Sequence, residues 1–218
     1  KTLSKIFRDE ETLVYILLIF IASLFIIFNL NKQGIQIRIS DLLFQVVSLT
    51  STGFSTVDLE QWPSFSRIIL ISLMLIGAST GSTSGSVKIG RYIIMVKSAL
   101  AELKRLSHPR AIISIKLNKR PVSSNLVIAI YQFFFIYIVI GFLSVLILGL
   151  TQLDIMTSIS AVFTTISNVG PGLGLMGPIS QFAALPSFAK LLLTLLMLLG
   201  RLEIFTLLVL FLPNTWKK

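Results

Sequence analysis

Long apolar runs alternate with shorter ones along the chain. Residues 12–30, 122–150 and 186–212 are apolar over the length of about 20 residues that a bilayer-crossing helix needs. Residues 41–51 are as apolar but too short: at 1.5 Å per residue they reach roughly 16 Å, about half the hydrocarbon thickness. Together with 154–167 they read as half-helices that enter a membrane and turn back, with Ser40 or Asp41 capping the first and Asp154 the second. Pro63 opens another apolar helix whose pattern breaks at Gly77 into ten small residues, Gly77-Ala78-Ser79-Thr80-Gly81-Ser82-Thr83-Ser84-Gly85-Ser86. Backbone freed there at membrane depth has to be buried in protein or line a wet cavity. Residues 87–106 alternate basic and apolar positions and predict a helix leaving the membrane, ended by His108-Pro109; 111–120 reads as an amphipathic connector at the membrane surface.

Two stretches share one grammar. A half-helix and a reversal carrying Ser51-Thr52-Gly53-Phe54 lead to Pro63-Ser64-Phe65-Ser66-Arg67 and on to Met74-Leu75-Ile76-Gly77. The second stretch carries Asn168-Val169-Gly170-Pro171, then Pro186-Ser187-Phe188-Ala189-Lys190 and Met197-Leu198-Leu199-Gly200. The helices keep an offset of 123 residues while the reversal glycines differ by 117, which places an insertion of six between reversal and helix in the second copy. The expected fold is therefore an all-α integral membrane protein of two parallel helix, re-entrant hairpin and helix repeats: 1–106, a connector 107–121, and 122–218.

Composition agrees. Hydrophobic residues make up 54% and charged residues 13% of the 218, too few charges to cover a soluble surface. The net charge of +10 sits beside apolar segments rather than on a face suited to nucleic acid, so no nucleic-acid partner is expected. Fourteen of the nineteen basic residues fall on one side (Lys1 to Arg8, Lys88 to Arg120, and Lys217-Lys218), four on the other (Lys32, Arg38, Arg67, Lys190), and Arg201 within a span. The positive-inside rule then puts both termini in the cytoplasm and both hairpins outside. A start at Lys1 with no small-residue cleavage site fits a fragment of something longer, without a signal peptide. With no cysteine and no His or carboxylate cluster, neither a thiolate site nor a metal cofactor is expected.

A cation crossing a bilayer needs oxygens in place of its water shell, and backbone carbonyls on re-entrant hairpins supply them without a permanent charge. Gly53 and Gly170 suit the required chain reversals, and the half-helices point their negative dipole ends there. Thr50-Ser51-Thr52-Gly53-Phe54-Ser55-Thr56, Ser167-Asn168-Val169-Gly170-Pro171-Gly172-Leu173-Gly174, Gly200-Arg201-Leu202-Glu203 and His108-Pro109-Arg110 resemble the third and fourth repeats of the Trk/Ktr/HKT superfamily of K⁺ transporters, in its TrkH-type branch. The resemblance implies a pseudo-fourfold pore in the inner membrane carrying K⁺, or Na⁺, with Ser51, Thr52, Gly53, Phe54, Asn168, Val169, Gly170 and Pro171 in the filter. It implies a gate made of residues 77–86 and Arg201. It also implies partners: the missing N-terminal repeats or a second chain, a homodimer mate, and a TrkA-like nucleotide-binding cytoplasmic subunit, alongside lipid at the basic 88–120 stretch.

Two other classes compete. One is a structural membrane subunit that moves nothing. The other is an intramembrane serine hydrolase, since Gly77-Ala78-Ser79-Thr80-Gly81 fits G-x-S-x-G. That motif needs a strand-to-helix turn and a histidine base, and the chain's one histidine, His108, stands about 30 residues on.

An arginine inside a span costs roughly 2.5–3.5 kcal/mol on insertion scales, so Arg201 should face protein or water, where it either raises the barrier to cations and holds the loop closed or snorkels or caps the loop's carbonyls without touching ions. Asp58 and Glu60 on the outer side would concentrate cations near an entrance.

Overall fold

A computed structural model describes residues 9–82, 85–108, 111, 113–178, 182–202 and 204–210. Helix α1 spans Glu10–Lys32. Asp9 caps it, accepting from the Thr12 amide at 3.0 Å and its hydroxyl at 2.9 Å, and Glu10 and Glu11 complement the dipole in its first turn. It ends at Gly34, whose positive φ lets Ile35 N–H reach back to the Leu30 carbonyl at 3.1 Å. At 23 residues α1 is about 34 Å long, and it is apolar enough to cross a bilayer.

Because it is long and straight-reading, α1 works as a depth gauge for the first half. Helix α2, Ile39–Ser48, is 10 residues and so about 15 Å long. It brings Thr50 down to Tyr15, hydroxyl to hydroxyl at 2.7 Å. The chain then returns, and helix α3, Ser64–Leu75, starts where Ser66 donates to the Asn29 side chain at 2.8 Å. Between Tyr15 and Asn29 lie 14 residues of α1, about 21 Å of depth.

Helix α3 stops at Ile76, and β1, Ile76–Gly77, pairs in parallel with β2, Val87–Lys88. The small-residue segment is thus a loop whose two ends are hydrogen-bonded side by side. Helix α4, Ile89–Ser107, follows directly. The 111–120 connector contains an antiparallel β-hairpin, β3 (Lys116–Leu117) and β4 (Arg120–Pro121), turned by Asn118 and Lys119 with φ of 50° and 64°. Two left-handed residues in a row are the signature of a two-residue hairpin turn, which an amphipathic reading does not detect.

Helix α5, Ser124–Gly149, is capped by the Ser123 hydroxyl and is the second helix long and apolar enough to span, about 39 Å. Helix α6, Ile155–Ile166, is capped by Asp154 as expected. Helix α7, Ser187–Arg201, ends with Leu202 as its C-cap, and a short helix α8, Ile204–Leu210, continues.

Several expectations are corrected here. The first half-helix is capped at Arg38, with no side-chain cap bond, so neither Ser40 nor Asp41 performs that role. Helix α3, at 12 residues or about 18 Å, is too short to span alone, and the last span is interrupted at Leu202. The second copy therefore breaks two residues after Gly200, much as the first breaks at Gly77. Thr83, Ser84, Pro109, Arg110, Glu203 and the two terminal basic segments lie outside the described residues.

The core has two main clusters. One gathers Ile26, Leu30, Leu42, Val46, Leu70 and Met74 around Val169 and Leu173 of the second reversal. The other packs Phe133, Tyr137, Val162, Ile166, Leu193 and Leu196 with Val87 from beyond the small-residue loop. Each half thus borrows apolar residues from the other. Outward, Leu17, Phe20, Phe28, Phe135, Phe142, Leu191 and Leu195 are exposed in rows along helices, as lipid-facing side chains are.

Candidate ion-conducting hairpins and loop

The two reversals meet. An ideal Cβ on Gly53 would lie 1.8 Å from the Val169 carbonyl oxygen and 2.7 Å from Pro171 Cδ, so residue 53 has to be glycine for the hairpins to approach this closely. Gly53, Asn168 and Gly170 have φ of 74°, 55° and 114°, turning successive peptides away from helical directions. Among the described residues, the carbonyls of Ser51, Thr52, Gly53, Asn168, Val169 and Gly170 accept no hydrogen bond. Six unpaired backbone acceptors on two touching segments are a concentration of unused oxygen. Phe54, by contrast, is 70% exposed, and its carbonyl is taken by the Ser48 hydroxyl at 2.6 Å.

Hydroxyls on the half-helices hold the reversals. On α6, Thr157, Ser160 and Thr164 are spaced by three and four and so share one face. Thr164 Oγ1 donates to the Pro171 carbonyl at 2.9 Å and accepts from Gly170 N–H at 3.1 Å. Ser160 Oγ bonds the Leu173 backbone at 3.0 Å, and Thr157 Oγ1 accepts from Leu175 N–H at 3.3 Å. On the first reversal the Ser48 hydroxyl donates to the Phe54 carbonyl at 2.6 Å and meets Thr52 Oγ1 at 3.2 Å, Thr50 meets Tyr15, and Ser55 donates to Gln45 Oε1 at 3.0 Å. Below the second, Tyr137 is fully buried and its hydroxyl pairs with Ser167 Oγ at 2.9 Å.

The small-residue loop lies beneath both. Thr80 N–H donates to Glu11 Oε2 at 2.9 Å, and Glu11 is four residues, or about 6 Å, nearer the N-terminal end of α1 than Tyr15. On its other side Gly85 N–H donates to the Ser167 carbonyl at 3.1 Å. A Cβ on Gly85 would lie 2.6 Å from Asn168 Nδ2 and 2.9 Å from the Gly200 carbonyl; one on Gly200 would lie 1.9 Å from the Ile166 carbonyl. Loop, second reversal and the end of α7 therefore converge at one point. Arg201 is the next residue of α7 and is exposed beside that junction. Gly77 and Ser86 are buried and Ala78, Ser79 and Ser82 half-buried, while Thr80 and Gly81 are exposed.

A sequence model for the family described as TrkH, cation transport protein, matches residues 13–218. The chain belongs to the TrkH family. The potassium uptake protein TrkH of Escherichia coli K12 is 36% identical across the whole chain, and TrkG of the same organism 30%. The crystal structure of the potassium transporter TrkH from Vibrio parahaemolyticus matches with a TM-score of 0.86 at 34% identity, over 97% of this chain and 46% of that one. The chain spans about half the length of the curated relatives it matches. It is a helical membrane protein of a transporter family. The hydrolase reading lacks its base as well: Ser79 adjoins the start of α4 and His108 follows its end, 19 residues or about 28 Å away.

Asp58 makes local bonds, whereas Glu60 reaches across the chain. Asp58 Oδ1 accepts from Glu60 N–H at 3.1 Å. Glu60 pairs with Arg67 at 3.5 Å and accepts from Gly174 N–H, so it clasps the two halves together at the N-terminal end of α3. Sequence reasoning missed that role, and those of Glu11 and Tyr137. Each has a partner distant in the chain.

Proposed function

We propose that this chain is the C-terminal half of a K⁺ uptake subunit and supplies two of four filter segments around a central pathway, with 1–106 and 122–218 as the two repeats and 107–121 as a cytoplasmic connector. The six unpaired carbonyls at the contact between Gly53 and Val169 carry this reading. They offer a cation the uncharged oxygens that replace its hydration shell. Ser51, Thr52, Gly53, Phe54, Asn168, Val169, Gly170 and Pro171 form the filter region, with Phe54 as an outward-facing flank. K⁺ is the cargo, with Na⁺ as the competing ion, and no cofactor takes part. Residues 77–86 form the gate, with Thr80 about one helical turn below the filter, and Arg201 adds a positive barrier beside it. Both termini and the basic 88–120 stretch face the cytoplasm across the inner membrane. Completion requires the N-terminal repeats; a homodimer mate, a nucleotide-binding regulatory subunit of the TrkA type and anionic lipid are the further partners.

Rubidium uptake into vesicles holding the full-length protein tests this. Gly53→Ser should cut flux more than about tenfold, because a side chain there pushes the Val169 carbonyl out of place. Flux equal to the parent's would refute a filter role, and a folded parent with no flux at all would leave the structural-subunit reading standing.

A further inference from the structure

Glu11 is an acidic side chain only 9% exposed, in the first turn of a membrane-crossing helix. Burying a carboxylate is costly unless hydrogen bonds compensate, so its position has to be maintained by what it holds. What it holds is the Thr80 amide, in the middle of the small-residue loop. The packing around it is close: a Cβ on Gly90, the second residue of α4, would lie 2.6 Å from Glu11 Oε1 and 2.9 Å from Thr80 Oγ1. Glu11, Thr80 and Gly90 thus form one tight contact between α1, the loop and α4.

The two residues before Glu11 face a different element. Asp9 accepts from Asn118 Nδ2 at 2.6 Å, and Glu10 N–H donates to Asn118 Oδ1 at 2.8 Å. Glu10 also pairs with Lys97, whose ammonium reaches the Lys116 carbonyl at 2.9 Å. The β3–β4 hairpin is therefore fastened to the end of α1 through Asp9 and Glu10, while the adjacent Glu11 fastens the loop. A movement of the β-hairpin has a three-residue path to the loop.

We propose that Glu11 is a positioning residue that latches the intramembrane loop in its closed position, and that Asp9, Glu10 and Asn118 connect this latch to the cytoplasmic β-hairpin. The proposal rests on the reading of residues 77–86 as a gate. The latch holds by one charge-assisted bond, strong enough to bias a two-state loop and weak enough to be broken by a partner pulling on the β-hairpin.

Full-length protein with a single reactive cysteine, Ser79→Cys, and any cysteine outside this half replaced, allows the latch to be read without ion flux. Glu11→Ala should speed labelling by a membrane-impermeant thiol reagent, applied from the cytoplasmic side, by about tenfold, the size of one charge-assisted bond. Glu11→Gln, which keeps an acceptor oxygen, should restore most of the parent rate. Gly90→Ala, which leaves the carboxylate in the chain but displaces it, should speed labelling as well and decides the matter if Glu11→Ala fails to fold. Asn118→Ala should give a smaller increase of the same sign. Labelling unchanged in Glu11→Ala and Gly90→Ala would overturn the latch, and so would failure of Glu11→Gln to restore the rate. A parent without rubidium flux would sink the gate reading while leaving the labelling comparison intact.

Discussion

The two re-entrant hairpins come from one sequence grammar and are held in different ways. The second is stitched to its half-helix by three hydroxyls on one face of α6, with Tyr137 beneath. The first is tied by Ser48 to Thr52 and Phe54, by Thr50 to Tyr15 and by Ser55 to Gln45, none of which binds a backbone amide of the reversal, and it also lies against its neighbour through Gly53. Their glycines divide accordingly. A Cβ on Gly170 would meet nothing within 4 Å, so that glycine serves conformation alone, whereas Gly53 serves both conformation and close approach. The second hairpin is a braced reference surface, and the first is a segment pressed against it.

The largest test of that contrast exchanges the glycines for alanine. Gly53→Ala adds overpacking of about 1–3 kcal/mol to the strain of a left-handed alanine, whereas Gly170→Ala carries only the strain, about 1 kcal/mol. Thermal unfolding of the purified full-length protein should show the first substitution lowering the midpoint more; equal shifts would erase the distinction between the hairpins. A smaller difference separates the hydroxyls. Thr164→Val removes two bonds and strands the Gly170 amide, for about 1–3 kcal/mol, while Ser48→Ala removes bonds to the Phe54 carbonyl and the Thr52 hydroxyl but strands no backbone amide, for about 1 kcal/mol. Hydrogen exchange should rise over 170–175 in the former and over 52–55 in the latter, and the reverse ranking would count against the bracing.

The smallest effect lies at the far end of α1 and probes a region outside both hairpins. The Asp9 carboxyl is held below the usual carboxylate range, chiefly by the Thr12 amide against the opposing effect of burial, with further help from the Thr12 hydroxyl and Asn118. A lowered folded-state pKa means that its contribution is fully present above the ordinary value of about 3.9 and is lost as pH falls through the folded value. Exchange protection of the β3–β4 hairpin should therefore weaken on acidification below about pH 4, with the hairpins above unaffected. Asp9→Asn should flatten that pH response, and persistence of the response in the variant would assign it elsewhere.

What could be read from the sequence follows from how locally each feature is encoded. Apolar periodicity and length located α1, α5 and both half-helices, because burial in lipid or core imposes a pattern on consecutive residues. Asp154 before Ile155 was legible as a cap for the same reason. Asp41 misled because a cap depends on backbone angles at Arg38 that composition does not report. The interruption at Leu202 has no helix-breaking residue to mark it between two apolar stretches; it accompanies the packing of Gly200 on the Ile166 carbonyl, a contact 34 residues distant in the chain. The Glu11–Thr80 bond spans 69 residues and has no local signature at all. Sequence pattern marks where chain is buried or freed, and polar partners across the fold have to be seen in space.

The placement of Val169 and Leu173 in the first half's core bears on how the chain is made. Helices α1 to α3 leave the ribosome well before residue 169 exists, so their inner face must wait with an apolar gap that only the second hairpin fills. Membrane insertion of the first half and its final packing are therefore separate events, the latter timed by synthesis of α6 and the reversal that follows it. An interval of that kind is an opportunity for a chaperone to occupy the gap first.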